Sequence, residues 1–336
     1  MDVPEYLIER ARGLIANEKY RDLSSFVAAS MENQLTLEER TYATEPLTTS
    51  EVQEEPALVS RISKPTRLGV EPPRERLPTV EYGSRPNPGP VEQWPWGQIN
   101  KLLPVKFTVR LLANQLSDAE PVVPLDHFKL EAAQRARSFG LWLAGNDKKY
   151  GRRRDERLSA GFPIGRVPET SLNRYATHFV GHERKNDKAL FGALFELKLG
   201  NAEVVGTKLS VGLTEAGVQF ATIPNPVLDN SDLSSSLGND EIGFYLEHIR
   251  ARVPGEAYAF ELILGLLAEG VNGREGLNER VRNRVGLDWT DAVVNMQRTG
   301  TMARMYELGL IEKTRDGLRV KYGITDRGMS WLTNRK

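Results

Sequence analysis

The chain contains no cysteine, only four histidines, and no excess of charge of either sign. The lack of cysteine excludes a disulfide framework and a cysteine-ligated zinc site, and it fits a reducing compartment. Forty-five basic residues balance forty-five acidic residues over 336 positions. Any affinity for nucleic acid must therefore come from local clusters of charge and not from the molecule as a whole.

Long apolar runs are missing as well. No stretch approaches the ~18 consecutive apolar residues that suggest a membrane-spanning helix. The first ten residues, MDVPEYLIER, carry acids and an early proline where a signal peptide has a basic patch and an apolar run. We therefore expect a cytoplasmic protein that does not contact a membrane, with a length that suits two or three domains.

Motifs for metal or nucleophilic chemistry are scarce. There is no phosphate-binding glycine loop, no GxSxG turn and no cysteine nucleophile. His178 and His182 lie four residues apart, but Gly181 weakens a helix between them and no third ligand has a diagnostic spacing. A packed or surface histidine pair is therefore preferred over a metal site, and the sequence predicts neither a metal nor a cofactor.

Asp187, Glu196 and Lys198 match the D…ExK order of a metal-dependent nuclease strand. The leucines around Glu196 keep helical spacing, however, which predicts a helix over DKALFGALFELK, residues 187–198, and favours a helix end over a strand at this position. The sequence therefore predicts a protein without catalytic residues.

The first 36 residues have the pattern of two short helices, with apolar residues at three- and four-residue intervals. The stretches VPEYLIERARGLI and KYRDLSSFVAASMENQL resemble the ribbon-helix-helix family, in which paired strands read DNA and helices form a dimer core. Only three residues precede Pro4 here, and one of them is the acidic Asp2. The resemblance therefore implies homodimerisation through residues 1–36 more than base reading.

Residues 37–97 are interpreted as a linker. They contain ten of the nineteen prolines, among Glu, Thr and Ser, without a sustained apolar period. The stretch QWPWGQ near its end is expected to dock on a folded part, because Trp94 and Trp96 are poorly suited to water. A second, acidic segment at residues 230–253 predicts a hinge between a domain at 98–229 and another at 254–336.

An internal repeat relates these two predicted domains. Residues 191–217 align without gaps over residues 302–328, at an offset of 111, since 302 − 191 and 328 − 217 are equal. Each copy runs from a helix through Leu-x-Leu into a strand, a glycine turn, a second strand and a final helix, which indicates one supersecondary unit used twice. Lys198 aligns with Gly309, where a helix ends and glycine is favoured in a left-handed cap.

The second copy, RMYELGLIEKTRDGLRVKYGITDRG, resembles the winged-helix family, especially regulators with an LxxLGLI helix end, a basic wing and LTxxG. The resemblance implies a mainly α fold with small β wings, arranged as two winged-helix domains in tandem. In that family the third helix enters the major groove and the wing touches phosphate or the minor groove.

Local charge favours the same interpretation. Residues 274–336 hold thirteen Lys and Arg against eight Asp and Glu, and residues 147–188 hold eleven against six. The run KKYGRRRDER predicts a phosphate-contacting loop, or else a solvated loop neutralised by its own acids. The residues expected to contact DNA lie on the second recognition helix, at its equivalent in the first copy, on the wings and in the basic run: Asn295, Gln297, Arg298, Arg304, Arg184, Asn186, Lys188, Lys208, Lys313, Arg315, Arg319, Lys321, Arg152, Arg153 and Arg154.

Two functions remain open. The first is a non-enzymatic protein that binds double-stranded DNA, as a transcriptional regulator or a plasmid replication or partition factor. The alternative is a winged-helix structural adaptor that binds mainly protein within a larger complex for chromosome organisation or defence. The neutral net charge, the missing ribbon strand and the long linker favour the alternative.

Overall fold

The computed structural model describes residues 69–73, 77–81, 90–184, 188–286, 289–316 and 319–333. All of them belong to one compact unit, residues 57–336. The predicted dimerisation segment, residues 1–36, and most of the predicted linker lie outside the described residues. Within the described part the chain is mainly helical with small antiparallel sheets, as the sequence predicts.

The first half is built around α1, a helix whose side chains are all buried and whose first turn contains Pro104, a position where the missing N–H costs nothing. Strand β5 pairs with β1 on one side and with β4 on the other. The elements are α1 (Leu103–Ala113), β1 (Val123–Pro124), α2 (Leu125–Lys149), α3 (Pro168–Tyr175) continued by a π turn (Ala176–Val180), β2 (His182–Glu183), β3 (Leu190–Phe191), α4 (Ala193–Glu196), β4 (Gly200–Val205), β5 (Lys208–Leu213), α5 (Glu215–Thr222) and α6 (Pro226–Asp229).

From α10 onwards the second half has the helix, two strands and final helix that the repeat predicts. Thr290 begins the longest of its helices by accepting a hydrogen bond from the N–H of Val293. The elements are α7 (Asn239–Arg252), α8 (Pro254–Ala268), α9 (Arg274–Val285), α10 (Asp291–Glu307), β6 (Ile311–Asp316), β7 (Arg319–Ile324) and α11 (Asp326–Thr333).

The acidic segment 230–253 is not a hinge, so this prediction is wrong. Most of it forms α7, which packs between α5 and α8. Glu241 of this helix is fully buried and its carboxylate lies 3.0 Å from the ammonium of Lys106 in α1. An acid that is neutralised by a distant buried lysine looks, in the sequence, like any solvated acid.

The end of the predicted linker docks through Trp94 as expected, whereas Trp96 remains 38% exposed. Trp94 is 4% exposed and packs edge-on against Trp289, with ring centroids 5.5 Å apart. Its indole N–H donates to the hydroxyl of Thr301 at 2.8 Å. The chain is already part of the core before residue 97, because Trp94 is buried. The linker therefore ends earlier than predicted.

The repeat is present in the backbone down to single hydrogen bonds. The boundaries of β4, β5 and α5 differ by 111 residues from those of β6, β7 and α11 in every case, since 311 − 200 and 333 − 222 are both 111. The Thr214 hydroxyl donates to the carbonyl of Lys198 at 2.8 Å, and that of Thr325 donates to Gly309 at 2.7 Å. Lys198 (φ 54°) and Gly309 (φ 69°) are both left-handed, which confirms the predicted cap.

The two copies differ upstream of that cap. The second has α10, a helix of 17 residues, whereas the predicted helix over DKALFGALFELK is wrong. At that place the first copy has the β2–β3 hairpin and the single turn α4. Gly181 (φ 131°) and Gly192 (φ 107°) bend the chain there, and a Cβ on Gly192 would lie 2.4 Å from the Gly181 Cα. Such backbone angles and contacts suit glycine alone and interrupt a helix.

Candidate nucleic-acid interface

Asp147 holds the predicted basic run in a defined loop. Its buried carboxylate accepts hydrogen bonds from the N–H groups of Leu158 at 3.1 Å and Ser159 at 2.9 Å. It also accepts one from the guanidinium of Arg152 at 3.0 Å. Charge-assisted bonds to both sides of the loop fix its path. Arg152 is therefore a structural part of the loop, and its side chain is only 16% exposed.

The remaining basic side chains of the loop face solvent. Arg153 pairs with Glu156, and the Lys149 ammonium lies over the ring of Tyr150, which is itself 59% exposed. Arg154 and Arg157 are exposed and make no side-chain hydrogen bond or ion pair to another described residue. Side chains of this kind are available to phosphate groups.

Asp155 connects this loop to the β6–β7 hairpin. Its carboxylate lies 3.3 Å from the Lys313 ammonium on β6 and 4.0 Å from the guanidinium of Arg315. Its carbonyl oxygen accepts a hydrogen bond from Lys101 at 3.2 Å. The ammonium of Lys313 also lies 4.0 Å from the centre of the Tyr306 ring, near the end of α10. Two predicted basic regions, 158 residues apart in sequence, thus form one surface.

This surface, which we call the basic surface, consists of Lys101, loop 148–157, Lys313 and Arg315. It contains nine basic side chains and two acidic ones, at positions 155 and 156. Burial tends to raise the pKa of Asp155, but Lys313 and other partners together hold that pKa below its usual value. Asp155 is therefore a permanent anion that spaces the surrounding cations, and the surface remains strongly positive.

The register of β6 and β7 divides the predicted wing residues between two faces. Lys313 pairs with Tyr322 and Arg315 with Val320, so these side chains share one face. Thr314 pairs with Lys321, which lies on the other face. The side chain of Arg319 lies outside the described residues. Of the predicted wing residues, Lys313 and Arg315 therefore belong to the basic surface and Lys321 does not.

Helix α10 does not present the residues predicted to read bases. Arg304 is fully buried, and its guanidinium forms two hydrogen bonds to the Glu256 carboxylate at 2.6 and 2.7 Å. Gln297, 3% exposed, accepts the N–H of Gly97. These two predictions are wrong because this side of α10 packs against α8 and the chain around residue 97, which covers it.

Arg298 is also in the interior, at 3% exposed, so this prediction is wrong as well. Its guanidinium donates to the side-chain oxygen of Asn278 at 2.6 Å and to that of Asn295 at 3.0 Å. Asn295 is half-buried and occupied by that bond. The sequence pattern gave no sign that α9 supplies a partner for an arginine twenty residues away.

The first-copy residues lie on hairpins. Arg184 follows β2 and lies over the ring of Phe191, and Lys188 is exposed and pairs with Glu183 at 3.1 Å. Asn186 lies outside the described residues. Lys208 is exposed on the first wing-like hairpin. These residues do not lie on a recognition-type helix, because β2 and β3 replace that helix in the first copy.

The alternative chemistries are also located. Glu196 lies in α4, and its buried carboxylate accepts the N–H groups of Gly192 at 2.8 Å and Trp96 at 2.6 Å, so it is a helix-end residue as expected. His178 is in the π turn, where burial first and the charge of Arg174 second lower its pKa to about 4.

Sequence reasoning missed Asp147, Asp155, Lys101 and Tyr150, which build or extend the basic surface. The only signal was the acidic residues within and before the basic run, which were interpreted as neutralising charges. Two of them, Asp147 and Asp155, in fact position the loop.

Among the described residues no helix combines the length and apolar character needed to cross a bilayer. Within the same ranges, no group of three or more His, Asp or Glu side chains could hold a metal ion. No protein-family model, curated protein sequence or solved structure matches this chain.

Proposed function

We propose that the protein is a non-enzymatic DNA-binding protein whose basic surface contacts the phosphates of a duplex. The observation that carries the proposal is the junction at Asp155, which gathers the basic loop and the second hairpin into one cationic surface. Exposed lysine and arginine without compensating acids supply the sequence-independent part of DNA affinity.

We also propose that the two repeats are winged-helix units. In favour of this, the first half runs helix, strand, helix, helix from α1 to α3 and ends in the strands β4 and β5, with the β2–β3 hairpin and the turn α4 inserted between α3 and β4, and β1 lies beside β5 in the sheet. In the second half the helices α8, α9 and α10 are followed by the β6–β7 hairpin. This order is the one in which a wing follows a helix that packs beside DNA.

The proposed mode of binding relies on the wing and the loop more than on a helix in the major groove. The exposed positions of α10 include Ala292 and Thr299, which offer few hydrogen bonds to base edges. Arg154, Arg157 and Lys148 would instead contact phosphates. Recognition would then depend on the shape of the duplex, as suits a replication, partition or regulatory factor.

Fluorescence anisotropy with a labelled duplex of about 20 base pairs at several salt concentrations tests this proposal. We expect the triple variant Lys148→Ala/Arg154→Ala/Arg157→Ala to bind at least about tenfold more weakly, with a salt slope lower by roughly 2 to 3. The control is Lys129→Ala, a lysine on the same helix α2 but about 30 Å from its end at 1.5 Å per residue. Equal affinities for the triple variant and the control would contradict the proposal.

The second candidate is a structural adaptor, which one observation favours. Val204 and Val205 at the tip of the first hairpin are 69% and 51% exposed, and an apolar tip suits a protein partner better than phosphate. If the folded wild-type chain binds no duplex at low salt, the DNA proposal fails and the adaptor is the better one.

Homodimerisation through residues 1–36 is a separate proposal. Sedimentation of the full chain with Leu7→Arg and Leu14→Arg tests it, with monomers expected.

A further inference from the structure

A groove of about 940 Å³ lies beside the β4–β5 hairpin, and none of its lining residues belongs to the basic surface. Helix α7 forms one wall, the first turn of α5 forms another, and residues 79–81 form the third. The N–H of Val80 donates to the carbonyl of Leu213 at 2.8 Å, which fixes that third wall to the end of β5.

One row of side chains on α7 changes from aromatic to cationic along the groove. Phe244, His248 and Arg252 are four residues apart and so share one face of the helix, over about 12 Å. The rings of Phe244 and His248 are stacked with a centroid distance of 5.8 Å and an interplanar angle of 4°. The row therefore passes from a flat apolar surface to a cation.

The imidazole in the middle of this row is neutral. His248 Nε2 lies 2.8 Å from the carbonyl of Leu197, which can only accept, so Nε2 carries the hydrogen and Nδ1 keeps a lone pair. Burial lowers the pKa of His248, and the charges of Lys198 and Arg252 lower it further. The imidazole therefore adds a flat face rather than a third positive charge.

Two cations converge at the other end of the groove. Burial lowers the pKa of Lys198, and the neighbouring charge of Arg252 lowers it further. The lining also contains carboxylates, on Glu81, Glu215 and Glu247, and all three of these residues are exposed. Like charges held close together beside a partly desolvated groove favour an anion between them.

The second copy shows what closes such a groove. Arg327 stands where the first copy has Ala216, and it donates to the carbonyl of Leu308 at 3.0 Å. Its guanidinium also lies 3.1 Å from the point that a Cβ on Gly309 would occupy. The first copy thus has an alanine that leaves space, and a lysine, Lys198, in a left-handed conformation that costs about 1 kcal/mol without glycine.

We propose that this groove binds a small planar organic anion of the size of an aromatic acid. Its anionic group would lie between Lys198 and Arg252, and its ring would lie against Phe244 and His248. The proposal does not depend on DNA binding, because the groove shares no residue with the basic surface.

Isothermal titration with two matched probes, naphthoate and its neutral amide naphthamide, tests this site in the full-length chain. We expect naphthoate to bind at least tenfold more tightly than naphthamide, because only the carboxylate interacts with the two cations. Equal affinities for the two probes, or no binding of either at millimolar concentration, would overturn the proposal.

Two variants take their residues from the second copy and thus keep a backbone that the fold already uses. Lys198→Gly removes one cation, and we expect it to abolish the preference for naphthoate. Ala216→Arg fills the groove as Arg327 does, and we expect at least a tenfold loss of affinity for naphthoate. Lys129→Ala removes a lysine elsewhere and should bind like the wild type. Retention of the naphthoate preference in Lys198→Gly, with circular dichroism showing the same fold, would assign binding to another place and overturn the proposal.

Discussion

The two copies of the repeat share a helix cap, a hairpin and a closing helix, yet they differ in what precedes and surrounds that frame. In the second copy the long helix α10 precedes the shared elements, whereas in the first copy the β2–β3 hairpin and the single turn α4 precede them. At three aligned positions the side chains are exchanged: Lys198 for Gly309, Ala216 for Arg327, and Ala193 for Arg304.

The difference shows that an identical backbone frame can serve two environments. The copy with Arg304 and Arg327 uses its cations internally, on Glu256 and on a helix-end carbonyl. The copy with Ala216 in place of Arg327 leaves a groove, which Lys198 lines. Charged residues near a shared motif therefore cannot be assigned to one role in both copies.

The largest effect is expected where the second copy buries a charge that the first lacks. Arg304→Met leaves the Glu256 carboxylate buried without its partner, and we expect the free energy of unfolding to fall by about 3–5 kcal/mol. Urea unfolding followed by circular dichroism measures this loss. The double variant Arg304→Met/Glu256→Leu should recover most of it. Equal loss in both variants would show that packing, and not charge, is responsible.

Equivalent substitutions in the elements that the two copies share should lower the free energy of unfolding by equal amounts. A Cβ on Gly217 would lie 1.9 Å from the carbonyl oxygen of Leu199, and one on Gly328 would lie 2.1 Å from that of Leu310. We expect Gly217→Ala and Gly328→Ala each to lower stability by about 3 kcal/mol, because the backbone must shift. The control is Gly265→Ala in α8, where no atom lies within 4 Å and helix propensity should raise stability slightly. A large difference between the first two variants would break the equivalence of the copies.

A pH effect is expected from His178, in the π turn that precedes the first copy. The unfolded chain protonates His178 below a pH of about 6.5, whereas the folded chain does so only near a pKa of about 4. The unfolded state therefore binds more protons in this window, and stability is lost as the pH falls through it, by about 1–2 kcal/mol after solvent screening. Urea midpoints at several pH values should show a shallower slope for His178→Gln. His127→Gln, which alters a side chain that is 73% exposed, is the control.

The smallest effect concerns the left-handed cap. Lys198→Gly should leave stability unchanged or raise it by up to about 1 kcal/mol, because glycine adopts this conformation without strain. Gly309→Lys should lower stability by a similar amount, since it introduces strain next to Arg327. Thermal unfolding of the two variants measures both signs. Destabilisation by Lys198→Gly would mean that the lysine side chain stabilises the fold.

The fold could be predicted wherever short-range pattern decides the structure. Both hairpins of the repeat and the left-handed cap follow from apolar spacing and glycine, and the repeat made them mutually consistent. The acidic hinge and the helix over residues 187–198 failed, because a distant buried lysine and two close-packed glycines determine those regions.

The candidate site was predictable only in its charge. The basic loop and Lys313 were identified from composition, but their meeting at Asp155 depends on a contact across 158 residues. The failure at Arg304 and Gln297 has the same origin. Polar residues on a helix look exposed in sequence, and only the three-dimensional packing of residues 94–102 shows that they satisfy buried groups.

The equivalent glutamates of the two copies hold the same short piece of chain. Glu196 accepts the N–H of Trp96 at 2.6 Å, and Glu307 accepts that of Leu102 at 2.7 Å. Leu102 is six positions after Trp96, so these two attachment points can lie at most about 20 Å apart. The length of the chain from Trp96 to Leu102 thus limits the distance between Glu196 in the first copy and Glu307 in the second. A partner that touches both copies meets them at a spacing set by this segment, and an insertion there would change that spacing.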